Sequence, residues 1–338
     1  METLAPVLTC VGIDGAAKTL AVVVLAPSTP PAPALTLANT AAGWHDLDAH
    51  LRAQGCVPAT TRLVLEATGS DWIGLATALV AAGWTVSVVS PASARNYAKA
   101  TMRRAKTDAV DAAMLAAYGR DLTPAAWTPP PPEVQARQVL LRQRDDLVAV
   151  QTATRNRQHA LAQLPTVPAE VQAPLVALLA LLAEQITTLE AAIEQRARAA
   201  AAIATEVARL DAIKGVGLLT AVIVVTELAP LGPDLTPAQA VAYAGLDPAP
   251  RRSGTSVRGA EHISKTGSAR LRQALYLAAV SAARFNPALR AFYERLVARG
   301  KKKIVALVAV ARKLLVVMVT LMRHQRTYDP HWHETGRP

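Results

Sequence analysis

The run Thr128-Pro-Pro-Pro-Pro132 constrains the fold more than any other feature of the chain. Each proline holds φ at about −65° and removes a backbone donor, so four in succession can neither continue a helix nor sit inside a sheet. They form a stiff connector, and a domain boundary is expected there. The two sides differ in kind. Before the run, Leu8 to Leu25 (LTCVGIDGAAKTLAVVVL) is two β-rich apolar runs around a polar, Gly-containing turn, a hairpin signal. A helix near Trp44 to Gln54, a strand within Arg62 to Ser70 (RLVLEATGS), a helix from Trp72 to Ala82, a strand from Thr85 to Val89 and a helix start within Met102 to Met114 (MRRAKTDAVDAAM) follow. Strands alternating with helices imply an α/β sheet.

After the run the pattern becomes helical. Glu133 to about Arg209 is rich in Ala, Leu, Gln, Glu and Arg with apolar residues at helical spacing, and Pro165, Pro168 and Pro174 mark a break. Two long helices, an antiparallel coiled-coil hairpin serving as spacer or dimerisation arm, are expected. Leu210 opens a third, mostly helical region reaching Arg326. The predicted organisation is thus an α/β domain over 1–127, a connector with a helical coiled-coil region over 128–209, a helical domain over 210–326 and a tail over 327–338. The fold class is α/β plus all-α.

Charge points to the partner. The net charge of +11 is concentrated: Arg251 to Arg326 holds 17 Lys and Arg against Glu261 and Glu294, a local +15 that leaves the rest near −4. Such a field suits a polyanion, nucleic acid first. Cys10 and Cys56 are too few for a disulfide framework and lack metal-ligand spacing, and no secretory signal is evident, so a reducing cytoplasm is expected. Ile304 to Met322 is apolar enough to suggest a membrane span, but Arg312 and Lys313 at its centre favour a buried helix and no membrane partner.

Asp14 and Glu66 each end an apolar run, and Asp108 and Asp111, three apart on a predicted helix, share one face. Taken singly, each reads as a cap or a complement to a helix dipole. Together, four carboxylates converging on one sheet edge would bind one or two Mg²⁺ ions, with Mn²⁺ as the alternative, and support phosphodiester chemistry. Arg103, Arg104 and Lys106 precede the helix, where its dipole does not favour them, and suit a phosphate backbone.

Farther on, the turn Lys214-Gly215-Val216-Gly217 between apolar stretches resembles a helix-hairpin-helix, whose amides can cradle a phosphate. The alternative is a tight turn that needs glycine. In Ala244 to Ala279, Ser253 stands between Arg252 and Gly254, with Arg251, Arg258, Lys265, Arg270 and Arg272 nearby. On its own this is a polar loop with a basic approach to a phosphate.

The order Asp14, Glu66, Asp108, Asp111 within GIDGAAK, LEATGS and AKTDAVDAAMLA resembles the DEDD transposases of bacterial insertion sequences. Their N-terminal domain is ribonuclease-H-like, similar to Holliday-junction resolvases. The resemblance implies that these four acids bind Mg²⁺. It extends to Ser253-Gly254, Ile263-Ser-Lys-Thr-Gly267 and Leu271-Arg272, and implies that the loop serine, Ser253 by position with Thr255 and Ser256 close by, attacks DNA to form a phosphoserine link. It also implies a homo-oligomer, dimer or tetramer, with the acidic site supplied by another subunit, and an element-encoded guide RNA that pairs with donor and target DNA. The basic segments Arg251 to Arg272 and Arg295 to Lys303 would then touch RNA, DNA or both. Two other readings compete: a metal-dependent nuclease or junction resolvase acting by hydrolysis, and a nucleic-acid-binding scaffold with a decayed site.

Overall fold

The computed structural model describes residues 9–27, 33–102, 107–249, 252–253, 257–258 and 262–329. The chain divides into two compact units, 1–129 and 130–338, and the division falls within the proline run.

In the first unit, β1 (Thr9–Gly15) and β2 (Thr19–Leu25) form an antiparallel hairpin closed by Ala16 N–H donating to Thr19 O at 2.9 Å. A short β3 (Leu35–Ala38) joins β2 antiparallel. Helix α1 (Ala41–Ala53) then crosses to β4 (Thr61–Glu66), parallel to β1, and α2 (Trp72–Ala81) crosses to β5 (Thr85–Val89), parallel to β4. The order is β3-β2-β1-β4-β5. Two further helices follow, α3 (Pro91–Ala100) and α4 (Asp108–Leu122).

The period-2 pleat decides which helix covers which face. Val11, Ile13, Leu63 and Leu65 pack with Leu47, Leu51, Leu75 and Leu79 of α1 and α2. The alternate residues Val64 and Val89 pack with Leu115 of α4 and Ala94 of α3, and Ala21 and Val23 pack with Ala112. Helices on both faces explain why these strands read as continuous apolar runs. Past α4, Trp127 N–H donates to Val86 O at 2.7 Å along the margin of β5, and the Trp127 ring meets Trp72 edge-on at 5.4 Å.

The second unit opens with α5 (Pro132–Leu161), whose first residue is the last proline of the run, and α6 (Ala169–Ala199). They pack antiparallel, with Arg144 Nη2 at 2.7 Å from Glu190 Oε1 and Arg196 Nη1 at 3.7 Å from Glu133 Oε2. Helix α6 runs through Pro174, contrary to the expected break. As the sixth residue of α6, Pro174 forfeits one i→i−4 bond, to Glu170 O, without ending the 31-residue helix, and the break is confined to residues 162–168.

A helical core then forms from α7 (Ala201–Asp211), α8 (Leu218–Leu228), α9 (Pro237–Tyr243), α10 (Ala269–Phe285), α11 (Pro287–Ala298) and α12 (Lys303–His324). Both α6 and α12 are long and apolar enough to cross a bilayer by length and composition alone, but half of the most apolar stretch of α12 is buried, with Leu314, Leu315 and Met318 in the core. Between α9 and α10 runs a nested ribbon. Here β6 (Pro248–Ala249) pairs with β9 (His262–Ile263), and β7 (Arg252–Ser253) pairs with β8 (Val257–Arg258).

Candidate active site

Three elements bring the four acids to one edge of the sheet. In the parallel β1–β4 pair Ile13 stands opposite Leu65, so Asp14 and Glu66 are the next residues along, at matching ends of adjacent strands. Both lie on the face that α4 covers, because Asp14 is two residues from Gly12 and Glu66 two from Val64. Helix α4 runs opposite to β1. Gly12 lies beneath Ala112 and Ala116, while Gly119, farther along the helix, lies against Val64 and Cys10. The first turn of α4, carrying Asp108 and Asp111, therefore points toward the ends occupied by Asp14 and Glu66. The Thr107 hydroxyl caps it, accepting from Val110 N–H.

Gly12 makes this approach close. A Cβ there would sit 1.8 Å from Ala112 O and 2.4 Å from Ala116 N. Its sequence signal is a lone glycine inside an apolar strand.

Asp14, Glu66 and Asp111 are half-buried and Asp108 is exposed. Glu66 Oε1 accepts from Thr68 Oγ1 at 2.7 Å. A set of four hard oxygen donors suits Mg²⁺ or Mn²⁺ chemically. Among the described residues, however, no three His, Cys, Asp or Glu side chains form a group that could hold a metal ion. The donor chemistry of the four acids suits such an ion, while the structure does not gather three of their side chains together. Arg103, Arg104 and Lys106 lie outside the described residues.

Ser253 ends β7 opposite Val257, at the outer part of the ribbon. Its neighbours Gly254, Thr255 and Ser256, and also Arg251, lie outside the described residues, and only the backbone of Arg252, Ser253 and Arg258 is described. At the ribbon's base Ser264 N–H donates to Asp247 O at 2.9 Å, and the Ser264 hydroxyl bonds the Asp247 carboxylate. Exposed Lys265 adopts the left-handed conformation with φ of 55°.

Two of the expected phosphate contacts have protein partners. Arg270 Nε bonds Asp145 Oδ2 of α5 at 2.5 Å, and its Nη1 bonds Glu227 Oε1 of α8 at 3.3 Å. Glu227, only 8% exposed, also accepts from Ser268, the N-cap of α10, at 2.7 Å. Arg272 Nη1 donates to Ala244 O at the end of α9 at 3.0 Å. Burial, together with the charge of Glu227, raises the Tyr243 hydroxyl pKa, Arg142 and Arg270 opposing.

Lys214, Gly215 and Gly217 occupy the turn between α7 and α8. Gly215 has φ of 99° and an added Cβ would lie 2.5 Å from Ala282 Cα in α10, so packing alone demands glycine there. Lys214 and Gly217 are exposed at the start of α8, and nothing lies within 4 Å of a Cβ built on Gly217.

Comparison with known proteins covers both units. A family described as Transposase matches residues 11–164, and one described as Transposase IS116/IS110/IS902 family matches residues 207–294. The chain is 30% identical over 328 residues to the pilin gene-inverting protein of Moraxella bovis, covering 96% of this chain and 99% of that protein. Against the pilin gene-inverting protein of Moraxella lacunata it is 30% identical over 301 residues, covering 88% and 91%. An insertion element IS110 protein of 43.6 kDa from Streptomyces coelicolor is 34% identical over 120 residues, 36% of this chain and 29% of that protein. Agreement over nearly the whole length of the Moraxella bovis protein, with both halves matched by transposase families, makes this chain a member of the IS116/IS110/IS902 transposases, enzymes that break and rejoin DNA strands.

Proposed function

We propose that the protein cuts and rejoins the DNA of an insertion sequence through a serine-linked intermediate, guided by an RNA that the element encodes. The observation that carries the metal part is the convergence of Asp14, Glu66 and the first turn of α4 at one sheet edge, held by the seating of α4 on Gly12. These four acids would hold one or two Mg²⁺ ions, with Mn²⁺ as substitute, which when bound stabilise negative charge developing on phosphate oxygens.

The Ser253 hydroxyl attacks a strand phosphorus. An Oγ–P bond forms as one P–O ester bond breaks, and the proton lost by the serine is balanced by the one gained by the leaving deoxyribose oxygen. Attack on the phosphoserine by a strand hydroxyl reverses this and rejoins DNA without an external energy source. Arg251, Arg252 and Arg258, with Lys214 and Lys265, neutralise backbone phosphates, whereas Arg270 and Arg272 are engaged by protein partners. Base pairing by the guide would carry the sequence information. Working as a cytoplasmic homo-oligomer, the enzyme would bring acids and serine from different copies to one strand.

Replacing Ser253 by Ala should abolish recombination and the covalent protein–DNA adduct. Asp108→Asn should abolish Mg²⁺-dependent cleavage. Cleavage by S253A at the wild-type rate, with no adduct in either protein, would replace this reading by hydrolytic nuclease or resolvase action. The DNA flanking the reading frame should encode a structured RNA.

A further inference from the structure

Helix α12 is apolar on two faces. One of them, through Ala306, Val310, Ala311 and Leu314, is buried in the core of the second unit. The other is a stripe along the helix, Ile304, Val305, Val308 and Ala309, with Arg312 at its end. Ile304 is 59% exposed and Val305 48%. Single exposed apolar residues are ordinary, but a helix apolar on a second, continuous face has something to meet there.

That stripe is one wall of a groove of about 460 Å³, and the root of the ribbon, with Pro248 and Ile263, is the other. Exposed Lys265 and Arg312 also line it, and among the described residues no carboxylate does. The nearest acid in sequence, Asp247, has its carboxylate bonded to the Ser264 hydroxyl. Lys301, Lys302 and Lys303, all exposed, lead directly into Ile304. The groove therefore joins an aliphatic floor to a cationic rim.

Inorganic phosphate would meet the rim and leave the floor wet. An apolar peptide would cover the floor and strip water from two cations without pairing them. An unstacked nucleotide answers both, because its base lies on aliphatic side chains while the phosphates on either side reach Lys265 and Arg312. Ile304, Val305, Val308 and Ala309 offer no hydrogen-bond partner to a sugar 2′-hydroxyl, which selects deoxyribose over ribose. From this root the ribbon leads out to Ser253, five residues beyond Pro248 and so at most about 18 Å from it.

We propose that this groove holds one unstacked nucleotide of the DNA strand being cut, its base on the Ile304–Val305 stripe and its flanking phosphates at Lys265 and Arg312. The proposal rests on the DNA reading above and is independent of the serine chemistry.

The test is fluorescence anisotropy of the full chain with a short labelled oligothymidylate, an abasic deoxyribose-phosphate strand of equal length and charge, and an oligouridylate. Wild type should bind oligothymidylate at least about fivefold more tightly than the abasic strand, the low end for a base laid on a side chain. The double variant Ile304→Ser, Val305→Ser, at exposed positions, should keep the wild-type circular dichroism, lose that preference and bind the abasic strand as before. Arg312→Gln should weaken both DNA strands alike and reduce the slope of log affinity against log salt by about 0.7. A double variant that keeps the full preference, or that weakens both DNA strands equally, would overturn the proposal. So would oligouridylate binding through the stripe as tightly as oligothymidylate, which would make RNA the occupant, or a double variant that changes only self-association in sedimentation, which would make it a second copy of the chain. S253A should bind all three strands as wild type does. Failure of these results with S253A still inactive would remove the groove alone, whereas a base-dependent groove in a chain whose S253A is fully active would remove the serine chemistry alone.

Discussion

Replacing Gly12 by Ala should separate the two halves of the acidic edge. The added methyl would lie 1.8 Å from Ala112 O, and real Cβ contacts keep at least 3.0 Å, so helix α4 must retreat by 1.2 Å or more. The obstructing atoms are backbone, so no rotamer change relieves the clash. Overpacking of this kind costs about 1–3 kcal/mol, and an immovable neighbour puts the expectation at about 3 kcal/mol. With a urea slope of about 2 kcal/mol per molar, the first unit's unfolding midpoint should fall by about 1.5 M. Asp108 and Asp111 ride on the displaced helix while Asp14 and Glu66 stay on the strands. A misplacement of about 1 Å costs on the order of 10²-fold in rate, so Mg²⁺-dependent cleavage should drop by about that factor in the protein that remains folded. Circular dichroism in urea and a cleavage assay on supercoiled DNA read the two effects. A G12A protein with wild-type midpoint and wild-type cleavage would refute the seating of α4 on this glycine and the convergence built on it.

Arg270→Met should destabilise the second unit by about 3 kcal/mol, since it leaves Glu227 buried without its cation. Adding Glu227→Gln should recover most of that loss, and a single-variant loss below about 0.5 kcal/mol in denaturant titration would show that the pair is not coupled. Burial raises both the Cys10 and Cys56 thiol pKa values, Arg62 and Arg120 opposing at Cys10 and a Thr61 hydrogen bond opposing at Cys56. The neutral thiols therefore contribute stability that is fully present below the ordinary thiol value and is lost as pH rises from there through the raised folded values. Unfolding midpoints should fall above about pH 8.5 in wild type. A double Cys→Ala chain showing the same fall would assign it to other groups.

Much of the first unit could be read from its pattern because both sheet faces are covered. The two apolar runs of the hairpin from Leu8 to Leu25 and the β-branched stretch Thr85 to Val89 appear as β1, β2 and β5. Strand β3 carries little sequence signal, being four residues long with alternate residues exposed. Helix α3 carries more, Ser90 followed by Pro91 being a cap and first-turn signal. Asp14 and Glu66 could be located because each follows the apolar part of its strand, near the end of β1 and at the end of β4. That α4 crosses β1 closely enough to bring Asp108 and Asp111 to the same edge depends on Gly12, a long-range contact that no local pattern encodes. The roles of Arg270 and Arg272 were hidden for the same reason: their carboxylate and carbonyl partners are distant in sequence, so from sequence they are simply cations in a basic stretch.

The backbone bond from Trp127 to Val86 has a consequence for how the protein is made. The first unit leaves the ribosome before the helical one exists, with a newly formed sheet that could recruit strands from other nascent chains. One margin is covered by the Trp127 segment, and the prolines that follow have no N–H with which to extend the ladder. The other margin is the four-residue β3, preceded by Pro30, Pro31 and Pro33. Both ends of the sheet are thus poor templates for further strand addition, so the prolines that separate the two units also act against aggregation during synthesis.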